Sequence, residues 1–325
     1  MRNAGTKLKK QLFGIDASEV TFARRGFLAT DPAVVAALEK VGVAFVAGYH
    51  AALSQSEPRA LAEALSEVNA AHRGFAYEGA GMALTLLDRL TPWKRSRFGE
   101  FLQGPGEPHT YMVIIGAGWA FARLGSPIAR LAAKIDPLLG WLAFDGYGFH
   151  EGYFHSERSV TQQCRPRGMQ GYAGRVFDAG LGRSLWFVCG GQAAVLATTI
   201  AAFSSERQAD LWAGAGLACA YAGGVDDSMV KDMRQRAGDY RGYLAQGAAF
   251  AAKARQRAGL PSAPSAFAVQ ELTGMSFEQA VRICDEAESE CRSTSIELAQ
   301  EPTFEVWRSR IRQRFEQAFA GVEHA

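Results

Sequence analysis

YEGAGMAL at residues 77–84 and DAGLGRSL at residues 178–185 read as one helical phrase written twice. Each is followed, in the same order, by two more: IGAGWAFARLG at 115–125 and LAFDGYGF at 142–149, then AGAGLACAYAGG at 213–224 and YLAQGAAF at 243–250. Matching their glycines pairs Gly79 with Gly180, Gly116 with Gly214 and Gly146 with Gly247, at offsets of 101, 98 and 101 residues. Three landmarks in one order at one offset predict two related helical units, 57–157 and 158–258, packed about a pseudo-twofold axis. A cleft at that axis is the natural place for a site. An N-terminal arm and helix (1–56, the arm to about residue 30) and a C-terminal helical segment (259–325) flank the two units.

The rest of the chain agrees with an all-α protein. Asp31-Pro32 pairs a capping side chain with proline at the first helical position, ahead of the apolar run AVVAALEKVGVAFVAGYHAAL. Ser276 and Gln279 have the spacing of a capping box. Gly104-Pro105-Gly106, Gly125-Ser126-Pro127, Gly223-Gly224 and the stretch from Pro261 to Pro264 mark helix ends, and no run alternates strictly as a half-buried strand would. The glycines inside the phrases each cost about 1 kcal/mol against alanine in a helix. Something must offset that cost: close approach of a neighbouring helix, or an extended apolar ligand in a tunnel between bare helix faces.

With 325 residues, 48% hydrophobic and 21% charged, the chain can bury a large core. A net charge of +2 gives no field for nucleic acid. Five cysteines without a CxxC pair indicate neither a disulfide framework nor a structural zinc site, which fits a reducing compartment. The N-terminus is basic at Lys7, Lys9 and Lys10 but lacks the apolar stretch of a secretory signal, so a cytoplasmic protein is expected. The segment from Leu185 to Phe203 approaches the length of a membrane span. Its counterpart in the first unit carries Asp88, Arg89, Lys94 and Arg95, so a buried core helix is expected there, with peripheral membrane contact left open.

The chemistry is concentrated in the first unit. Glu78 and Asp145 each precede a Gly-x-Gly inside apolar runs, where a carboxylate is costly unless paired, and their counterparts Ala179 and Gln246 are uncharged. Tyr147, Glu151 and His155 fall on one helical face with His150 beside them, while Ala251 and Ala252 stand opposite His150 and Glu151 in the second unit. Because the repeated architecture does not require them, Glu78, Asp145, Tyr147, His150, Glu151 and His155 are the candidate catalytic groups. Proton transfer on an alkene is one use. A divalent metal such as iron, held by Glu78, Glu151 and His155, is another, although the two Glu-x-x-His motifs of a ferritin-like site are missing. Structural pairing is the plain alternative. Arg183 is a partner for Glu78 or an anchor for a substrate carboxylate or phosphate. Trp119 and the Trp186-Phe187 pair of GLGRSLWF are candidate substrate contacts.

GAGWAF and GAGLAC lack the GxGxxG form, and Asp226-Asp227 lacks the later acid of a metal-diphosphate motif, so Asp226 is read as an N-cap. In the C-terminal EVWRSRIRQRFEQAF, Phe304, Trp307, Ile311 and Phe315 form an apolar stripe for docking, and Arg308, Arg310, Arg312 and Arg314 form a basic face. That face is either solvated or a landing surface for an acidic partner such as an acyl carrier protein, or for anionic lipid.

RRGF at Arg24, RGFAYEGAGMAL, LTPWKR, GAGWAFARL, FDGYGFHEGYFH, GLGRSLWF, GLACAYAGG and LAQGAAFAAKARQRAG, in this order, resemble the UnbL-like family. This is an uncharacterised-domain family found alongside enediyne polyketide synthases and in other bacterial secondary-metabolite clusters. The resemblance runs from about Arg24 to Arg314. It implies a setting in which an iterative synthase makes a linear polyene that accessory proteins desaturate, cyclise or protect. Three roles follow: an enzyme acting on a hydrophobic polyene or isoprenoid-like chain, a non-catalytic protein that sequesters it, or an assembly partner of a carrier-bound or membrane-bound complex. The resemblance assigns no reaction to any residue.

Overall fold

In a computed structural model, residues 11–293, except positions 92, 94 and 95, and residues 301–323 are described. Lys7, Lys9, Lys10, Lys94 and Arg95 lie outside them. The described residues form helices and no strand. Seven long helices follow one another in a row: α1 (Pro32–Ser54), α2 (Arg73–Leu90), α3 (Thr110–Leu124), α4 (Leu142–Phe154), α5 (Gly171–Val188), α6 (Ser205–Ala222) and α7 (Arg241–Arg257). Three more, α8 (Ala263–Thr273), α9 (Phe277–Ser293) and α10 (Thr303–Glu323), close the C-terminal end.

The glycines dictate the row. A Cβ at the first glycine of each phrase would run into a backbone carbonyl of the preceding helix: Gly79 into Phe45, Gly116 into Glu78, Gly146 into Ile115, Gly180 into Asp145, Gly214 into Ala179, Gly247 into Ala213. The second glycine meets the following helix in the same way: Gly81 at Val113, Gly118 at Ala143, Gly148 at Phe177, Gly182 at Leu211, Gly216 at Leu244. The end helices have one row neighbour each and the matching single glycine: Gly48 of α1 meets Ala76 of α2, and α7 has Gly247 but Ala249 in the second place. One crossing geometry therefore serves all six interfaces. The landmarks that suggested two units belong to this longer series, in which Gly79 and Gly180 lie three helices apart. The bare faces hold neighbouring backbone, so the propensity cost is offset by close packing.

Neighbours in the row run in the same direction. Tyr77 stacks on His109 near the starts of α2 and α3, and the Arg89 guanidinium lies over Phe121 near their ends. The short helices Pro58–Ser66, Arg97–Leu102, Ala129–Ile135, Ala193–Ala201 and Asp227–Arg236 lie in the return connections. The row also curls on itself: Tyr221 at the end of α6 packs edge-on against Phe75 at the start of α2, with ring centroids 5.1 Å apart.

Local signals are realised at several ends. Asp31 accepts from Ala33 N, Ser276 and Gln279 exchange both bonds of a capping box, and Asp226 accepts from Met229 N. The apolar segment from Leu185 to Phe203 is not one helix; α5 stops at Val188, and Gly190 and Gly191 turn the chain with positive φ. One helix, α1, is long and apolar enough to cross a membrane by length and composition; it packs on the core through Leu38, Val41, Phe45, Tyr49 and Leu53. None of the five cysteines is paired.

The described part of the N-terminal arm packs on the core: Val20, Phe22 and Phe27 are buried, Leu28 N donates to Val188 O, and Tyr153 Oη donates to Val20 O. One expectation needs correction. The C-terminal apolar stripe docks as expected, with Phe304, Trp307, Ile311 and Phe315 all buried, but Arg308 is not on a solvated face. Its guanidinium is 2% exposed and donates to Asp210 Oδ1 at 2.6 Å, locking α10 onto α6. Arg314 pairs with Glu286 and Glu290, and Arg312 lies over the Tyr243 ring.

Candidate functional site

The candidate residues form two groups. Glu78 and Asp145 lie in the closed centre of the row with Arg183 between them. Arg183 reaches Glu78 at 3.5 Å, donates through Nη1 to Asp145 Oδ1, and lies over the Phe149 ring at 4.8 Å. Trp119 Nε1 donates to Glu78 Oε1 at 3.0 Å. Counting from the first glycine of each phrase, the position of Arg183 is filled elsewhere by Tyr49, Met82, Trp119, Phe149, Leu217 and Phe250, so the buried cation is a departure from the architecture.

Two carboxylates facing one guanidinium leave a proton to be placed. Burial pushes the Glu78 carboxyl up to about 7, against the pull of Arg183, and burial also raises that of Asp145. Because the folded value for Glu78 lies above its ordinary 4.5, the native state holds this proton more tightly than the unfolded chain. The stabilisation is complete below about pH 4.5 and is lost as the pH rises through about 7. Urea unfolding of the wild type between pH 5 and 7 should therefore lose up to about 1.4 kcal/mol per pH unit from this group. Glu78→Gln should remove that component; a variant with an unchanged slope would assign the proton elsewhere.

His150, Glu151 and His155 form the second group, at the end of α4, which opens to solvent. His150 Nδ1 lies 3.2 Å from Glu151 Oε1, both residues are buried, and His155, just past the helix terminus, is exposed. One donor atom from each of the three lies within 4.8 Å of the others. Burial lowers the His150 pKa, opposed by its bond to Glu151. Two clefts meet here. One, of about 490 Å³, is lined by Tyr147, Glu151, Phe154, His155, Arg158 and Pro166 among others. The second, of about 560 Å³, is lined by Ile15, Asp16, Arg25, Met82, Arg123, His150 and His155 among others. Phe154, His155 and Ala122 belong to both.

The register of the row shows how unusual this end of α4 is. The position of Glu151 is Ala51, Leu84, Phe121, Leu185, Cys219 and Ala252 in the other six helices, every one apolar. That of His150 is Ala83, Ala120, Ser184, Ala218 and Ala251 in five of them, and His50 in α1.

The structure thus brings His150, Glu151, His155 and Tyr147 to one place and holds Glu78 and Asp145 apart from them, paired with Arg183. A three-ligand set built from Glu78, Glu151 and His155 is not assembled; His150 stands in the place given to Glu78. Trp119 and the Trp186-Phe187 pair lie in the packed core: Trp186 Nε1 donates to Gly223 O at 2.9 Å, and Phe187 packs on Phe149 and Tyr153. Sequence reading missed the cleft residues Arg25, Arg123 and Arg158. It also missed the buried network in which Asp178 accepts from Arg165 and Arg207. The only signal for that network is Asp178 itself, an acid just before the AGLG glycines.

A row of parallel helices crossed at paired glycines, with a His-Glu-His group at one helix end, defines an all-helical domain of uncharacterised kind. The chain belongs to the family described as "Protein of unknown function (DUF1702)", whose model matches residues 4–315. No match was found among curated proteins or among solved structures.

Proposed function

We propose that this protein is a cytoplasmic enzyme of bacterial secondary metabolism that acts on a hydrophobic linear polyene or isoprenoid-like chain, with His150, Glu151 and His155 as its reactive groups. One observation carries the reading: a buried carboxylate bonded to a histidine, in a register that the six other row helices fill with apolar side chains, opens onto a cleft. A carboxylate costs several kcal/mol to desolvate and is retained there without any demand from the fold. The substrate class rests on the resemblance to the enediyne-associated family. Phe154, Pro166, Met82 and Ile15 give the two clefts apolar surface for such a chain.

Two chemistries suit these groups. In acid–base form, Glu151 or His150 removes a proton from the carbon next to a double bond and His155 returns one at the far end of the allyl unit, so the double bond moves without a co-reactant. In metal-assisted form, the same side chains hold a Lewis acid. Glu151→Gln keeps the size and most of the hydrogen bonding but removes the charge, so it should abolish turnover and leave the fold intact. Deletion of the gene, complementation with wild type or Glu151→Gln, and mass spectrometry of accumulated metabolites provide the test. The same intermediate should accumulate in the deletion and in the variant. Normal product from the variant would overturn the catalytic reading in favour of a protein that binds and protects the chain.

A further inference from the structure

We propose that His150, Glu151 and His155 bind a first-row divalent transition metal, iron(II) or zinc(II), at the junction of the two clefts. The proposal deepens the enzyme reading and rests on it for the metal's purpose, while the binding itself stands on geometry. Two imidazoles and one carboxylate have donor atoms within 4.8 Å of one another. That donor set suits iron(II) in a two-histidine, one-carboxylate arrangement and zinc(II) in its catalytic sites, and each leaves coordination positions for water or substrate. Magnesium and calcium prefer all-oxygen ligands and fit poorly.

The placement favours a site over a chance cluster. His150 lines one cleft, Glu151 the other and His155 both, so an ion among them would face both cavities with its open positions. Donors bound at about 2.1 Å from one ion lie roughly 3 Å apart, so the group must draw in from its present spacing. His155 can supply that movement: it sits past the last turn of α4 with φ −130° and ψ 42°, is exposed, and forms no side-chain hydrogen bond among the described residues. A simple Glu–His pair would need only His150 and Glu151. It gives no reason for a second imidazole beside them, its ring centroid 5.7 Å from that of His150.

The test is calorimetric titration of the chelator-stripped full-length protein with iron(II) under anaerobic conditions and, separately, with zinc(II). The visible spectrum of the cobalt(II)-loaded protein distinguishes four-coordinate from six-coordinate geometry. One equivalent of either metal is expected; zinc(II) binds nitrogen and oxygen donors more tightly than iron(II) at most sites, so the cobalt geometry decides between them. Because His155 is exposed, His155→Ala should remain folded, as circular dichroism would verify, and should weaken binding at least about 100-fold; Glu151→Gln should do the same. Absence of saturable binding of both metals, or unchanged affinity in His155→Ala, overturns the proposal. If the wild type binds no metal while Glu151→Gln is inactive, the metal site falls and the acid–base enzyme stands. If metal binds at this site but His155→Ala makes normal product, the site stands and the enzyme reading falls.

Discussion

Arg183→Met is expected to destabilise the protein by about 3–5 kcal/mol, the range for removing one partner of a buried ion pair. Methionine occupies nearly the same volume, so the loss measures charge rather than packing. Arg183 is 3% exposed and faces two carboxylates that have almost no access to water. Without it, Glu78 keeps its bond from Trp119, and Asp145 loses its one ion-pair partner among the described residues, with Arg308 left as a more distant cation. At least one carboxyl must then take up a proton, so the variant should lose still more as the pH rises. Urea unfolding at pH 6 and pH 8 measures both effects. Adding Asp145→Asn to Arg183→Met should recover part of the loss, since the pair is coupled. A single variant within about 1 kcal/mol of wild type would mean that water reaches this cluster.

How much of this was legible before the structure depends on the kind of signal. The glycine phrases announce helices that approach closely, and the row confirms them at every crossing. VAG in α1 and QGAA in α7 keep one glycine of two, because a terminal helix has one neighbour in the row. An offset near 101 residues pairs every third helix of this series. The site was partly legible for a related reason. A charged residue stands out where the register elsewhere is apolar, as at Glu151 and Arg183; Glu78 and Asp145 share one register position, which holds Gln246 in α7 and apolar residues in the other four helices. Register cannot say which of them meet. Glu78 and Arg183 are 105 positions apart in sequence and touch because the row curls. Arg308 falls on a face that the sequence reads as solvated or as a landing surface, because helical periodicity gives a face but not the acid on another helix that it will find, here Asp210.

Gly214→Leu should be among the most damaging substitutions in the row, destabilising by about 3 kcal/mol, the upper end of the usual overpacking range. The first atom of any side chain at Gly214 would lie 1.8 Å from the Ala179 carbonyl oxygen and 2.7 Å from Arg183 N, and neither is a flexible side-chain end that can swing away. Two helices would have to separate. Since α6 is also held to α7 through Gly216 and Gly247, separation at one crossing strains the next. The displaced backbone belongs to Ala179 and Arg183, so the Glu78–Arg183–Asp145 cluster should loosen with it. Even Gly214→Ala should destabilise, although alanine gains about 1 kcal/mol of helix propensity. Gly321 of α10 provides the control, because nothing lies within 4 Å of a Cβ added there. Gly321→Ala should leave the thermal midpoint unchanged or slightly raised. Thermal and urea unfolding of the three variants decide the matter. Equal midpoints for Gly214→Ala and Gly321→Ala would show that the helices can part at no cost, and close glycine crossing would then not be what holds the row together.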